Sequence, residues 1–164
     1  MTGNRQAEEA ARQDALALVE RMHVCTLATC GDGGQPHAVS LFYAHDGFNL
    51  YWLSDPATRH SCHVADPARG RGAVTIAGDH QDFAQICGIQ MSGPVRRLDG
   101  PLEIAAGLAH LTGRYGFLAR LFERPTGLVD AMRKAAVYRL IPEWVTFIDN
   151  SKGFGHKTTF RPRS

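Results

Sequence analysis

Lysine is scarce in this 164-residue sequence: Lys134, Lys152 and Lys157 stand beside fifteen arginines, and sixteen acidic residues leave a net charge of only +2. A balance so near neutral lacks the broad basic field of a nucleic-acid binder, so no nucleic-acid partner is expected. The positive charge that exists is mostly guanidinium, always ionised and shaped to grip phosphate or carboxylate in a two-pronged fork. No apolar run approaches the length of a membrane span, and no membrane partner is expected. Residues 1–13 are polar and mixed in charge, without the apolar core of a secretory signal, which predicts a cytoplasmic protein. Cys25, Cys30, Cys62 and Cys87 form no C-x-x-C pair, a pattern that suits a reducing compartment and excludes a structural zinc knuckle. His60 and His63 flank Cys62, but a further ligand at metal spacing is missing, so no metal is expected. No G-x-S-x-G elbow occurs, which argues against nucleophilic hydrolysis. Gly31-Asp32-Gly33-Gly34 is followed by neither a helix nor a Gly-Lys-Ser/Thr step, which removes the phosphate-loop reading.

What is present is a mixed pattern at the scale of one domain, residues 1–164, with hydrophobic residues at 44% and charged residues at 21%. Ala11, Ala15, Leu18, Val19 and Met22 recur at helical spacing and predict an amphipathic helix over 5–22. Strands are predicted at 23–29, 36–45 and 48–54, joined by turns at 31–34 and at Gly47 into an antiparallel meander. A helix over 55–65 follows, capped by Ser54 or Asp55 with Pro56 at its first position. Further strands are read at 71–77, at 86–98 with a bulge or edge position at Gly93-Pro94, and at 136–148. Helices are read over 102–122 and 128–134, and a basic tail over 152–164. The tight turns disfavour parallel crossovers, and the sum is mainly β: a six-stranded antiparallel barrel with helices packed outside.

Two segments carry candidate chemistry. In Leu53-Ser54-Asp55-Pro56-Ala57-Thr58-Arg59-His60 a strand gives way to a helix whose first turn bears hydroxyl, guanidinium and imidazole groups. This is either an anion site or an ordinary capped helix with Arg59 in solvent. Residues 149–157 place glycines beside Phe154 between Lys152 and Lys157. They suit either a loop over a planar anion or a solvated tail.

The order of these segments resembles a known family. Residues 34–43 (Gly-Gln-Pro-His-Ala-Val-Ser-Leu-Phe-Tyr), 50–54 (Leu-Tyr-Trp-Leu-Ser) and Thr58-Arg59-His60 are similar to the flavin-binding split barrel of pyridoxamine 5′-phosphate oxidase-like proteins. Residues 89–98 resemble the family strand that carries a flavin-facing glutamine, here Gln90, and 147–157 resemble the ending of a bacterial subgroup of that superfamily. The resemblance implies a split barrel and a homodimer with FMN in clefts at the subunit interface. It implies that Thr58, Arg59 and His60 hold the FMN phosphate. His37, Ala38, Val39 and Ser40 would lie along the ribityl chain and ring edge, largely through backbone groups. Leu53 and Ser54 would meet the cofactor at the end of the third strand, and Gln90 would approach the ring. Phe154 and Lys157 fall on the substrate side or in a lid. The implied activity is that of a flavin-dependent oxidoreductase acting on a small molecule or electron donor; a non-catalytic module for flavin, deazaflavin or haem on the same barrel is the alternative. The chain departs from the oxidase where family lysines are replaced by Phe42 and His60, and the family's C-terminal Arg-x-His has no match in Arg161-Pro162-Arg163.

Overall fold

The computed structural model describes residues 2–123 and 134–162. The chain opens with helix α1 (Thr2–Arg21), whose inward stripe of Ala11, Ala15, Leu18 and Val19 is small enough to let it lie close on the sheet. Strands β1 (Val24–Cys30) and β2 (Pro36–Phe42) form a hairpin around Gly34, which takes a positive φ of 73° in the turn. A second hairpin, β3 (Ala44–Asp46) and β4 (Asn49–Ser54), leads into the short helix α2 (Arg59–His63). Strand β5 (Arg71–Ala77), the long β6 (Cys87–Arg97), helices α3 (Pro101–Arg114) and α4 (Gly116–Glu123) follow. Strands β7 (Ala136–Leu140), β8 (Trp144–Asp149) and β9 (Lys157–Phe160) close the chain.

All pairings are antiparallel, in the order β2-β1-β5-β6-β7-β4-β3, with β8 also on β6 and β9 on β8. The sheet curls into a split barrel with helices against it, the architecture expected from the tight turns. β6 is the seam: Cys87 to Ser92 pair with β8, whereas Val95 to Arg97 pair with β7. The exchange of partner falls at Gly93-Pro94. A Cβ on Gly93 would sit 2.1 Å from the Ile141 carbonyl oxygen, so only glycine admits the β7–β8 link at that point. The expected irregularity at Gly93-Pro94 is therefore a crossing of two half-sheets.

Among the described residues, nine strands replace the six expected, for local reasons. The strand expected over 36–45 breaks at Tyr43, whose side chain is buried and donates its hydroxyl to the Val19 carbonyl at 2.8 Å. The meander is consequently two hairpins, and β2 does not pair with β4. The strand expected over 136–148 breaks at Pro142, which has no N–H to give a ladder. Part of the presumed tail becomes β9, because Phe160 packs on Phe48 and lies beneath the Arg12 guanidinium at 4.4 Å. The helix expected over 102–122 divides at Tyr115, where the backbone leaves helical geometry. The one expected over 55–65 shrinks to a single turn and a half, with Thr58 rather than Ser54 or Asp55 preceding it. The helix expected over 128–134 lies, apart from Lys134, outside the described residues.

Two apolar clusters hold these layers. The larger joins α1 to Leu27, Leu50, Trp52, Val74, Ile89 and Met91 inside the barrel. The smaller joins α3 and α4 to Tyr51, Leu98 and Val137 on the other face. β4 is thus covered on both sides, which explains its unbroken Leu50-Tyr51-Trp52-Leu53 run.

Candidate functional site

Strand alternation decides which side chains of β2 can meet α2. His37, Val39 and Leu41 are half-buried and point into the barrel side, while Ala38, Ser40 and Phe42 are exposed on the outer face. A strand cannot offer His37, Ala38, Val39 and Ser40 to one ligand through side chains; only its backbone presents a continuous edge. β2 supplies such an edge, because it ends the sheet and pairs with β1 alone.

The end of β4 and the turn after it build a hydroxyl–imidazole cluster. Asp55 shapes the turn: its Oδ1 accepts the Ala57 N–H at 2.8 Å, and its carbonyl accepts the Thr58 N–H at 3.0 Å and the Thr58 hydroxyl at 2.8 Å. Ser54 Oγ lies 2.6 Å from His60 Nε2, and Thr58 Oγ1 lies 3.2 Å from both. Thr58 Oγ1 is also 2.9 Å from Ser61 Oγ. His60 is 6% exposed and its ring stacks parallel to His37, with centroids 6.0 Å apart. His63, one helical turn further, stands edge-on to His37 at 6.1 Å, and its Nδ1 lies 3.1 Å from Thr29 Oγ1 on β1. Gly31 leaves room for that ring: a Cβ there would stand 2.9 Å from His63 Nε2. Burial, then the neighbouring His37 and His63, push the His60 pKa below its ordinary value. In the free protein this environment favours the neutral ring.

Arg59 itself is exposed and, among the described residues, has no ion-pair partner. Thr58, Arg59, His60 and Ser54 thus share one corner, with His37 behind them. Leu53 is on the opposite face of β4, half-buried against the α3 cluster, so only its backbone faces this corner. Beside His63, a groove of about 910 Å³ runs between the β1–β2 turn and Cys62, Asp66 and Arg69. Among the described residues, no three His, Cys, Asp or Glu side chains are arranged to hold a metal ion. Cys25 is a buried hydrophobe whose thiol is pushed up to about 12 by burial.

The remaining candidates lie elsewhere in the same chain. Gln90 is exposed on the outer face, in a register row that runs Ser40, Thr26, Thr75, Gln90, Thr146 and Thr159 across six strands. Three strand spacings separate it from Ser40, about 14 Å. Phe154, 89% exposed, stacks on Phe83 with centroids 5.2 Å apart. Lys157 pairs with Ile148 at the end of the sheet away from α2. Neither comes near the Ser54–His60 corner of its own chain. Sequence reasoning missed Ser61 and Thr29, and noted His63 only beside Cys62 and not as part of this cluster. His63 and Ser61 share the helical spacing of His60 and Thr58, a signal within reach; Thr29 needed the β1–β2 register, which places it opposite His37.

The sequence and the fold are similar to those of proteins already known. A UPF0306 protein of Klebsiella pneumoniae is 31% identical over 145 residues, covering 87% of this chain and 88% of the relative. A heme binding protein from Mycobacterium smegmatis has the same fold, with a TM-score of 0.70 at 21% identity; the alignment covers 92% of this chain but only 57% of that protein. A FAD-binding protein from Mesorhizobium loti superposes with a TM-score of 0.64 at 20% identity, covering 82% of this chain and 91% of that one. Residues 11–149 match the sequence model of the pyridoxamine 5′-phosphate oxidase family. With its barrel, its open β2 edge and that match over most of its length, the chain belongs to the pyridoxamine 5′-phosphate oxidase family.

Proposed function

We propose that this chain is an FMN-binding flavoprotein that works as a homodimer and acts as an oxidoreductase on a small molecule or electron donor. One observation carries the reading: β2, whose outer edge is unpaired, packs against α2, which begins with exposed Arg59 directly after the Ser54 and Thr58 hydroxyls. That donor set suits the two ends of FMN. A phosphate needs cations and O–H or N–H groups, which Arg59, Thr58 and Ser54 offer. The ring edge needs alternating donors and acceptors, which the β2 backbone over His37 to Ser40 offers. α2 is too short for its dipole to matter much, so the side chains carry the anion. Bound FMN would supply a ring that accepts or passes electrons and hydride; the chain's own part is to bind, orient and shield it.

The dimer follows from what one chain leaves bare. The outer sheet face carries Ala28, Ala38, Ala73 and Ser92 beside the row of Ser40, Thr26, Thr75 and Gln90, with Val24 and Phe42 exposed towards one end and Arg71 at the other. A second copy on this face would bring Gln90, Phe154 and Lys157 towards the partner's β2 edge, a position they cannot reach within their own chain. The family supports the reading, as does the FAD-binding neighbour. Purified protein titrated with FMN should quench flavin fluorescence at one site per chain and elute as a dimer. A protein that takes up no FMN, or does so as a monomer, refutes the respective half.

A haem reading draws on one observation: the His37 ring makes no hydrogen bond among the described residues, whereas His60 and His63 are engaged by Ser54 and Thr29. His37 would then be the axial ligand, and the heme binding neighbour lends that reading weight. A Soret band lost in His37→Ala would favour it over flavin. A deazaflavin would use the same backbone edge and is distinguished by its spectrum.

A further inference from the structure

Resting on the FMN reading above, we infer that docking of the cofactor's phosphate is coupled to uptake of one proton by His60, so that this corner is a proton-linked phosphate site. A phosphate monoester carries close to two negative charges above its second pKa near 6. Among the described residues, the cation free to meet it at this corner is Arg59. Asp55, on the same turn, adds a negative charge whose oxygen is only partly satisfied by the Ala57 N–H. With Arg59 against it and Asp55 beside it, a dianion leaves this corner about two positive charges short, and a protonated imidazole would supply one of them.

Hydrogen accounting selects which imidazole. His63 is tied to Thr29, and β1 offers nothing charged at that point. His37, from β2, lies behind His60 at 6.0 Å and has no hydroxyl partner at the corner. His60 alone is wired to the groups that would touch phosphate: Nε2 is 2.6 Å from Ser54 Oγ and 3.2 Å from Thr58 Oγ1. Each hydroxyl has a single hydrogen, and that of Thr58 is drawn to the Asp55 carbonyl. When the ring gains its second proton, Nε2–H donates to Ser54, and the Ser54 hydrogen is released to donate to a phosphate oxygen. The proton comes from solvent and the site's net charge falls by one unit in magnitude. In the free protein, burial and the other two histidines favour the neutral ring; the arriving dianion reverses that preference. By linkage, a ligand that binds the protonated form takes up protons and binds more tightly as pH falls.

Calorimetric titration of the wild-type protein with FMN and with riboflavin, near pH 7.5 in buffers of low and high ionisation enthalpy, reads the proton count. At that pH the FMN phosphate is already a dianion and releases almost nothing. Proton uptake approaching one per FMN is expected, with none for riboflavin, which lacks the phosphate. FMN affinity should fall up to tenfold per pH unit above that point while riboflavin affinity stays level. His60→Gln, which keeps a partner for Ser54, should abolish the uptake. FMN binding without proton exchange, or with equal uptake from riboflavin or in the His60→Gln variant, overturns the coupling and leaves the flavin reading intact. A protein that binds neither flavin overturns both. The riboflavin comparison needs no substitution, so a variant that fails to fold does not decide the result.

Discussion

Replacing Arg59 with alanine isolates the phosphate clamp from the rest of the binding energy. The side chain is exposed and has no ion-pair partner among the described residues, so its removal should leave folding within about 0.5 kcal/mol of the parent. Its worth to a bound phosphate is that of a charge-assisted hydrogen bond, about 1.5–3 kcal/mol. At about 1.4 kcal/mol per decade, FMN affinity should fall by a factor of roughly ten to a hundred and fifty. Riboflavin affinity should not move, because the ring and ribityl chain are held by the β2 backbone. Arg59→Lys should recover part of the loss, since an ammonium keeps the charge but not the two-pronged geometry. Fluorescence titration of both flavins against the three proteins, with thermal unfolding run in parallel, tests this directly. Equal weakening of FMN and riboflavin in the alanine variant would place Arg59 at the ring or in the scaffold. Unchanged FMN affinity would move the phosphate to another part of the surface.

Two further outcomes follow from the same geometry. His60 has a folded-state pKa below its unfolded value of 6.5, so the fold binds fewer protons than the unfolded chain between those values. Its contribution to stability is fully present above about pH 6.5 and is lost as pH falls towards the folded pKa. In cofactor-free protein the urea midpoint should drop between pH 7.5 and 5.5, and less so in His60→Gln; a parallel drop in both would assign the effect to other groups. Gly93→Ala should cost about 2 kcal/mol or more, because the added methyl meets the Ile141 backbone, which cannot rotate away. Chemical denaturation measures it, and a loss under about 0.5 kcal/mol would mean that the β6 crossing is looser than its contacts imply.

Legibility in the sequence followed how local each determinant is. β1 and β5 were readable because alternation and flanking turns are contained in a few residues, and Pro142 carried a visible warning that one long strand was two. The break at Tyr43 was not readable: its neighbours are apolar enough to continue a strand, and the cause is a hydroxyl reaching the end of α1. β9 was hidden for the same reason, since Phe160 becomes a core residue only through Phe48 and Arg12. At the site, the resemblance located Ser54, Thr58, Arg59 and His60 as neighbours. It could not foresee that His60 would turn inward to Ser54 and His37 and lose its charge, which depends on how closely α2 approaches β1 and β2.

The contact between Arg12 and the Phe160–Arg161 segment spans 149 positions, with the guanidinium donating to the Arg161 carbonyl at 2.9 Å. Arg12 thereby latches α1 to the segment after β9, and the apolar stripe of α1 rests on β5, β6, β8 and β9, all distant from it in sequence. The apolar stripe of α1 is fully covered only once β9 is in place. Closure of the barrel thus rests on a pairing of segments far apart in sequence, and such non-local closure belongs to slowly folding topologies. The few residues of β9 therefore govern how long an otherwise finished barrel remains open to misassembly.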